Sequence, residues 1–110
     1  MLRIGWKVVI KMIVIERTEN EVIVTGHSTS QGEKKTFEST QACASITALT
    51  HALLYGIVDE LKEHPDYTIE KGNFRLNLNN LSSQAMMLVN IFMRAVEGVS
   101  TGYPQYITVR

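Results

Sequence analysis

The stretch "MIVIERTENEVIVTGH", residues 12–27, decides the architecture. Two runs rich in β-branched residues, Met12 to Glu16 and Glu21 to Gly26, flank the polar "RTEN". Ile13 and Ile15 alternate with Val14, the period of two expected of strands with one covered face, and the polar segment between the runs suits a tight reversal. A hairpin here commits the domain to a sheet, and the rest of the chain has to cover one side of it.

Downstream, "STSQGEKKTFEST", Ser28 to Thr40, has no apolar period and reads as a long loop, a feature that compact domains seldom keep without a use for it. Gln41 to about Lys62 reads as a helix, with Ser39 or Thr40 as the hydroxyl cap and with charges appearing only after Val58. Its middle is apolar nearly all round, so other elements are expected to cover it. "HPD" breaks that pattern. Tyr67 to Lys71 and Asn73 to Leu78 then alternate across "KGN" as a second hairpin, with Tyr67, Ile69, Phe74, Leu76 and Leu78 on apolar faces and Arg75 and Asn77 pointing away. Leu81 to Val99 is a second helix with more apolar residues than one stripe holds, which suggests contact with the sheet and with another subunit. Tyr106 to Val109 is a last strand. Two hairpins, a terminal strand and two long helices make an α+β (mixed α/β) domain.

Before Met12 stand eleven residues, Met1 to Lys11, that read as an N-terminal extension to a single domain spanning residues 12–110. The chain has 110 residues, and its eleven basic and eleven acidic side chains cancel. No stretch concentrates Lys and Arg as a phosphate-tracking surface does, which argues against nucleic acid as a partner. The uncharged run Ala42 to Val58 falls short of a bilayer span and is interrupted by hydroxyls and His51, so no membrane is expected. One cysteine cannot form an internal disulfide, and the N-terminus lacks an apolar core followed by a small-residue cleavage site; a reducing cytoplasmic setting is the expectation.

That cysteine, Cys43, stands at roughly the third position of the first helix as read above. There, N–H groups without intrahelical partners and the positive end of the helix dipole would favour a thiolate and could hold an oxyanion formed on attack at a carbonyl. The plainer reading makes Cys43 a small apolar filler between Ala42 and Ala44. A reactive cysteine needs a base, which imidazole supplies near neutrality. His51 lies eight residues along the same helix, roughly 12 Å up its axis, too far to touch the sulfur. His64 precedes Pro65 in a turn and suits an exposed polar role. His27 stands where the second strand runs out, and the loop after it must bring the chain back to the helix that carries Cys43.

"TGHS" after the first hairpin, "CASITAL" at the helix start and "YPQYITV" at the end together resemble the ribosomal-processing cysteine protease family, Prp, over the chain from Met12 onward. By that resemblance Cys43 corresponds to the nucleophile and His27 to the base. The resemblance implies an endopeptidase that removes a short N-terminal extension from a ribosomal protein precursor, or in phage-encoded relatives trims capsid or scaffold proteins. It also implies a homodimer with no metal and no organic cofactor. This chain departs from the family pattern in having Ser28 where alanine is usual after the histidine, a longer segment between His27 and Cys43, and Thr40 where an acid is common, with Glu38 as a shifted substitute. Thr47 keeps the hydroxyl of a family serine.

Ser28, Phe37, Glu38, Thr40 and Thr47 are therefore the candidate substrate-binding residues. Phe37, the only large apolar side chain in the loop, either closes over an extended peptide or tucks into the core. Two rival readings remain: a noncatalytic dimeric interaction domain of the same fold, and a thiol redox sensor, the latter disfavoured because the chain holds no resolving cysteine.

Overall fold

The computed structural model describes residues 12–26 and 36–110. The expected extension, Met1 to Lys11, His27 at the end of the second expected strand, and most of the expected loop, Ser28 included, lie outside them.

Five strands form one mixed sheet. Strands β1 (Ile13–Arg17) and β2 (Glu21–Thr25) are the first hairpin, and β3 (Tyr67–Glu70) and β4 (Asn73–Asn77) the second. β5 (Ile107–Val109) closes the sheet by pairing parallel to β1, giving the order β3-β4-β2-β1-β5. Thr18 makes the first reversal, its hydroxyl oxygen accepting from Asn20 N at 3.2 Å and Glu21 N at 3.1 Å, a side-chain imitation of a backbone turn.

Register puts the large apolar residues on one face. Ile15 stands opposite Val24, Val24 opposite Phe74, Val22 opposite Leu76, and Ile13 beside Ile107, and all of them are buried. Because side chains alternate along a strand, the other face collects Glu21 and Arg75, which form an ion pair at 2.9 Å. Both side chains of that pair are partly exposed, so it adds little stability.

Helix α1 (Phe37–Tyr55) continues through one π-helical turn, Gly56–Glu60. Helix α2 spans Ser83–Gly102. They cover the apolar face of the sheet: Ala42, Ile46, Leu53, Leu54 and Ile57 from the first meet Ala85, Val89, Phe92 and Val96 from the second in one core. Burying each large aliphatic side chain there is worth roughly 1.5–3 kcal/mol. The helices run antiparallel. Gly56 lies against Leu88 near the start of α2, whereas Gln41 near the start of α1 bonds Tyr103 just past the end of α2. Glu63 then ties the chain to the start of α2, its carboxylate accepting from the N–H of Ser82 at 3.0 Å and from the Ser82 hydroxyl.

Four expectations need correction. The first helix begins at Phe37, not Gln41, because Thr36 rather than Ser39 or Thr40 is its cap. Residues 37–40 are therefore helix and not loop. Ala44, Thr47, Ala48, Ala52 and Tyr55 stay exposed, so α1 is covered on one side only; most of these side chains are small, which keeps the uncovered apolar surface modest. On the edge strand β3, Tyr67 and Ile69 share the core-facing side of the sheet but lie beyond the reach of the helices and are exposed. Finally, with its start moved to Phe37, the segment Phe37–Glu60 is long and apolar enough to cross a membrane by length and composition, though its inner face here builds the core.

Candidate functional site

The start of α1 is built by a reciprocal cap. Thr36 Oγ1 accepts from Ser39 N at 2.9 Å, and Ser39 Oγ accepts from Thr36 N at 3.0 Å while its hydroxyl is also within 3.0 Å of Thr36 O. Ser39 is wholly buried, so the cap is part of the interior and not a frayed end. Glu38 lies exposed in the first turn, where a carboxylate complements the positive helix end. Thr40 is exposed and its hydroxyl donates to Thr36 O at 2.9 Å. Thr40, the one hydroxyl of this segment expected to bind substrate, thus has a local structural partner.

Counting from Phe37, Cys43 is the seventh helical residue, in the second turn. This overturns the expectation of a third-position cysteine. Only the first few N–H groups of a helix lack intrahelical partners, and the field of the helix end falls off within the first turn, so the start of α1 does not supply Cys43 with an oxyanion site of its own. Cys43 is half-buried and packs against the core cluster, with its sulfur in no disulfide. Phe37 is 77% exposed, so it does not tuck into the core. Thr47 is exposed one turn beyond Cys43.

Neither described histidine approaches the cysteine along its own helix. His51 keeps to α1, Nδ1 lying 3.0 Å from Thr47 O and the ring 6.0 Å from that of Tyr55. His64 lines a polar cleft of about 220 Å³ with Glu63, Asp66, Asn77 and Asn80. Among the described residues no cluster of His, Cys, Asp and Glu is arranged to hold a metal ion.

His27 itself lies outside the described residues, but the residue before it is well placed. Gly26 N donates to Gly72 O at 3.0 Å, and Gly26 adopts φ of +96°, with Met12 O so close that a Cβ would meet it at 2.1 Å. Next to Met12, Ile13 N donates to Tyr106 O at 2.8 Å, and the Tyr106 hydroxyl is 3.4 Å from Thr36 Oγ1. Gly26 and Thr36, which bracket the undescribed residues, are thereby linked through Met12, Ile13 and Tyr106. The residue after β2 and the cap of α1 therefore sit at one end of the sheet.

Sequence reasoning missed the residues that fasten this end: Thr36, Gln41, Tyr103 and Tyr106. A signal was there to read, since "YPQY" offers proline at the second position of a turn and "TFES" has hydroxyls three apart before an apolar run.

No family model matches this sequence, and no curated protein matches it. Solved structures do. The essential ribosomal processing protease Prp from Staphylococcus aureus, in complex with a substrate peptide, superposes with a TM-score of 0.73 at 15% identity, covering 92% of this chain and 98% of that one. The same protease with a covalently linked product peptide gives 0.69 at 16% identity, with the same coverage. A Streptococcus mutans protein gives 0.73 at 16% identity, covering 92% of each chain. At such identities the likeness is one of fold. The α+β fold expected from the pattern of strands and helices is the one observed, and it is the fold of these proteins over nearly their whole length.

Proposed function

We propose that this chain is a cysteine endopeptidase that removes a short N-terminal extension from a ribosomal protein precursor. Cys43 attacks the scissile carbonyl, and His27 takes the thiol proton and returns it to the leaving amine. The catalytic domain comprises residues 12–110, with Met1 to Lys11 as an extension, and it works in the cytoplasm as a homodimer.

The observation that carries this reading is the shared fold with a protease solved with substrate and product peptides, over nearly the full length of both chains. Two further facts support it. The motifs around His27 and Cys43 occur in the family's order, and the strand end before His27 lies at the same end of the sheet as the start of the Cys43 helix. Exposure of Phe37, Glu38, Thr40 and Thr47 leaves these side chains open to an extended peptide.

The decisive experiment is mass spectrometry of the ribosomal protein precursor from the same genome after incubation with wild type or Cys43→Ala. Loss of a short N-terminal peptide with wild type alone is expected. An uncut precursor that nevertheless binds would favour the noncatalytic interaction domain, the reading that a second-turn cysteine without helix-start N–H groups would suit. Cleavage confined to phage capsid or scaffold proteins would move the substrate class and keep the chemistry.

A further inference from the structure

Edge strand β3 is exposed at every residue. Just before it, Asp66 O accepts from Asn77 N at 2.9 Å. Hydrogen-bonded and non-bonded pairs alternate along an antiparallel ladder, so Thr68 and Glu70 also turn their backbone groups toward β4, whereas those of Tyr67 and Ile69 point out from the open edge. The side chains divide in the same way. Tyr67 and Ile69, 45% and 40% exposed, stand on the core-facing side, and Asp66, Thr68 and Glu70 alternate onto the other. Among the described residues neither Asp66 nor Glu70 is in an ion pair. An open edge of this kind is a template for one more strand. The strand that fits it is apolar on one face and basic on the other.

The chain contains such a segment in "MLRIGWKVVIK", residues 1–11, which lie outside the described residues. Leu2, Ile4, Trp6, Val8 and Ile10 alternate there with Arg3, Gly5, Lys7, Val9 and Lys11, a period of two with one apolar and one basic face. We infer that residues 2–6 dock along the open edge of β3 as a further strand, with Leu2, Ile4 and Trp6 beside Tyr67 and Ile69 and with Arg3 and Lys7 toward Asp66 and Glu70. The inference does not depend on the proposed dyad.

Reach permits this docking with little to spare. Met12 O lies against Gly26, whose N–H donates to Gly72 O in the turn that follows β3, so residues 1–11 join the described chain at the end of the sheet where β3 finishes. The path from β1 past β2, β4 and β3 to the open edge is roughly 19 Å at about 4.8 Å for each strand spacing. The steps from Trp6 to Met12 cover about 20 Å when extended. Residues 2–6 are then left for the edge, running parallel to β3. Their register follows from the two faces, because a slip of one residue would set Arg3 and Lys7 against Tyr67 and Ile69. Charge favours this occupant over a second copy of β3. The antiparallel register that uses both Tyr67 and Ile69 would set Asp66 opposite the second copy's Glu70, and like charges directly opposite destabilise a pair. At the other edge β5 carries no acid, and its Ile107 is already buried.

Trp6 is the sole tryptophan, so its emission reports on this segment in the full chain. The test compares emission and acrylamide quenching in wild type, Ile69→Lys, Glu70→Lys, Lys7→Glu and the Lys7→Glu/Glu70→Lys pair. Ile69 and Glu70 are exposed, so these substitutions leave the core intact, which far-UV circular dichroism checks. Wild type is expected to emit at shorter wavelength than free tryptophan and to be poorly quenched. Ile69→Lys should shift the emission to longer wavelength and open Trp6 to acrylamide. Glu70→Lys and Lys7→Glu should each do so in part, and the charge-swapped pair should return toward wild type. Water-like emission in wild type overturns the docking. Short-wavelength emission that none of the single substitutions moves overturns β3 as the site. A short-wavelength emission that is lost on dilution assigns the strand to a second copy and overturns docking within one chain.

Discussion

Thr36 and Ser39 cap each other: each side chain accepts the other's backbone N–H, at 2.9 and 3.0 Å. That exchange moves the beginning of α1 four residues ahead of where charge and apolar pattern suggest, and it is why Cys43 lies in the second turn. Replacing Thr36 by alanine removes one acceptor and leaves the Ser39 N–H without that partner. The expected cost is about 1 kcal/mol in urea unfolding. A Thr36→Ala protein as stable as wild type would mean that the helix start is held by other contacts.

Gly26 is the most demanding backbone position in the described chain. Its φ of +96° is one that side chains rarely adopt, and Met12 O lies where a Cβ would go, at 2.1 Å. Gly26→Ala is expected to destabilise the domain by on the order of 3 kcal/mol. Calorimetry would check this, and an unchanged unfolding temperature would contradict the geometry.

Cys43→Ala should separate function from fold. The side chain is half-buried, and alanine leaves only a small gap, so stability should change by about 1 kcal/mol or less while peptide cleavage disappears. Cleavage that survives in Cys43→Ala would assign the nucleophile elsewhere.

The Glu63 carboxyl is held below its ordinary value of 4.5 because the Ser82 hydroxyl, and then the Ser82 N–H, bind its charged form. A carboxyl with a depressed folded value contributes stability that is complete above the unfolded value and lost as pH falls through the folded one. Wild type should therefore lose stability below about pH 4.5 more steeply than Glu63→Gln. Parallel unfolding curves for the two proteins across acid pH would show that the clamp does not couple to folding.

Much of the fold was legible because strand alternation is a local property. The pattern of Ile13, Ile15, Phe74, Leu76 and Leu78 marked both hairpins and the core face, and each of these residues is buried. Tyr67 and Ile69 show the limit of that logic. Their alternation announces a face, but whether a helix reaches far enough to cover it depends on strand order, which no local pattern contains. The site was less legible for a related reason. Ser39 and Thr40 satisfy the usual preference for a cap as well as Thr36 does; only the reciprocal bond between Thr36 and Ser39, which buries Ser39, selects among them.

The pairing of β1 with β5 joins Ile13 to Ile107, near opposite ends of the described chain. During vectorial synthesis, β1 emerges well before its parallel neighbour. Contacts of such long range are slow to close, since loop entropy must be overcome before they stabilise anything. The Tyr103–Tyr106 turn arrives at the same late moment. A nascent chain therefore carries Cys43 long before Tyr103, which bonds Gln41 of the same helix, exists, and this end of the sheet can close only after β5 has left the ribosome.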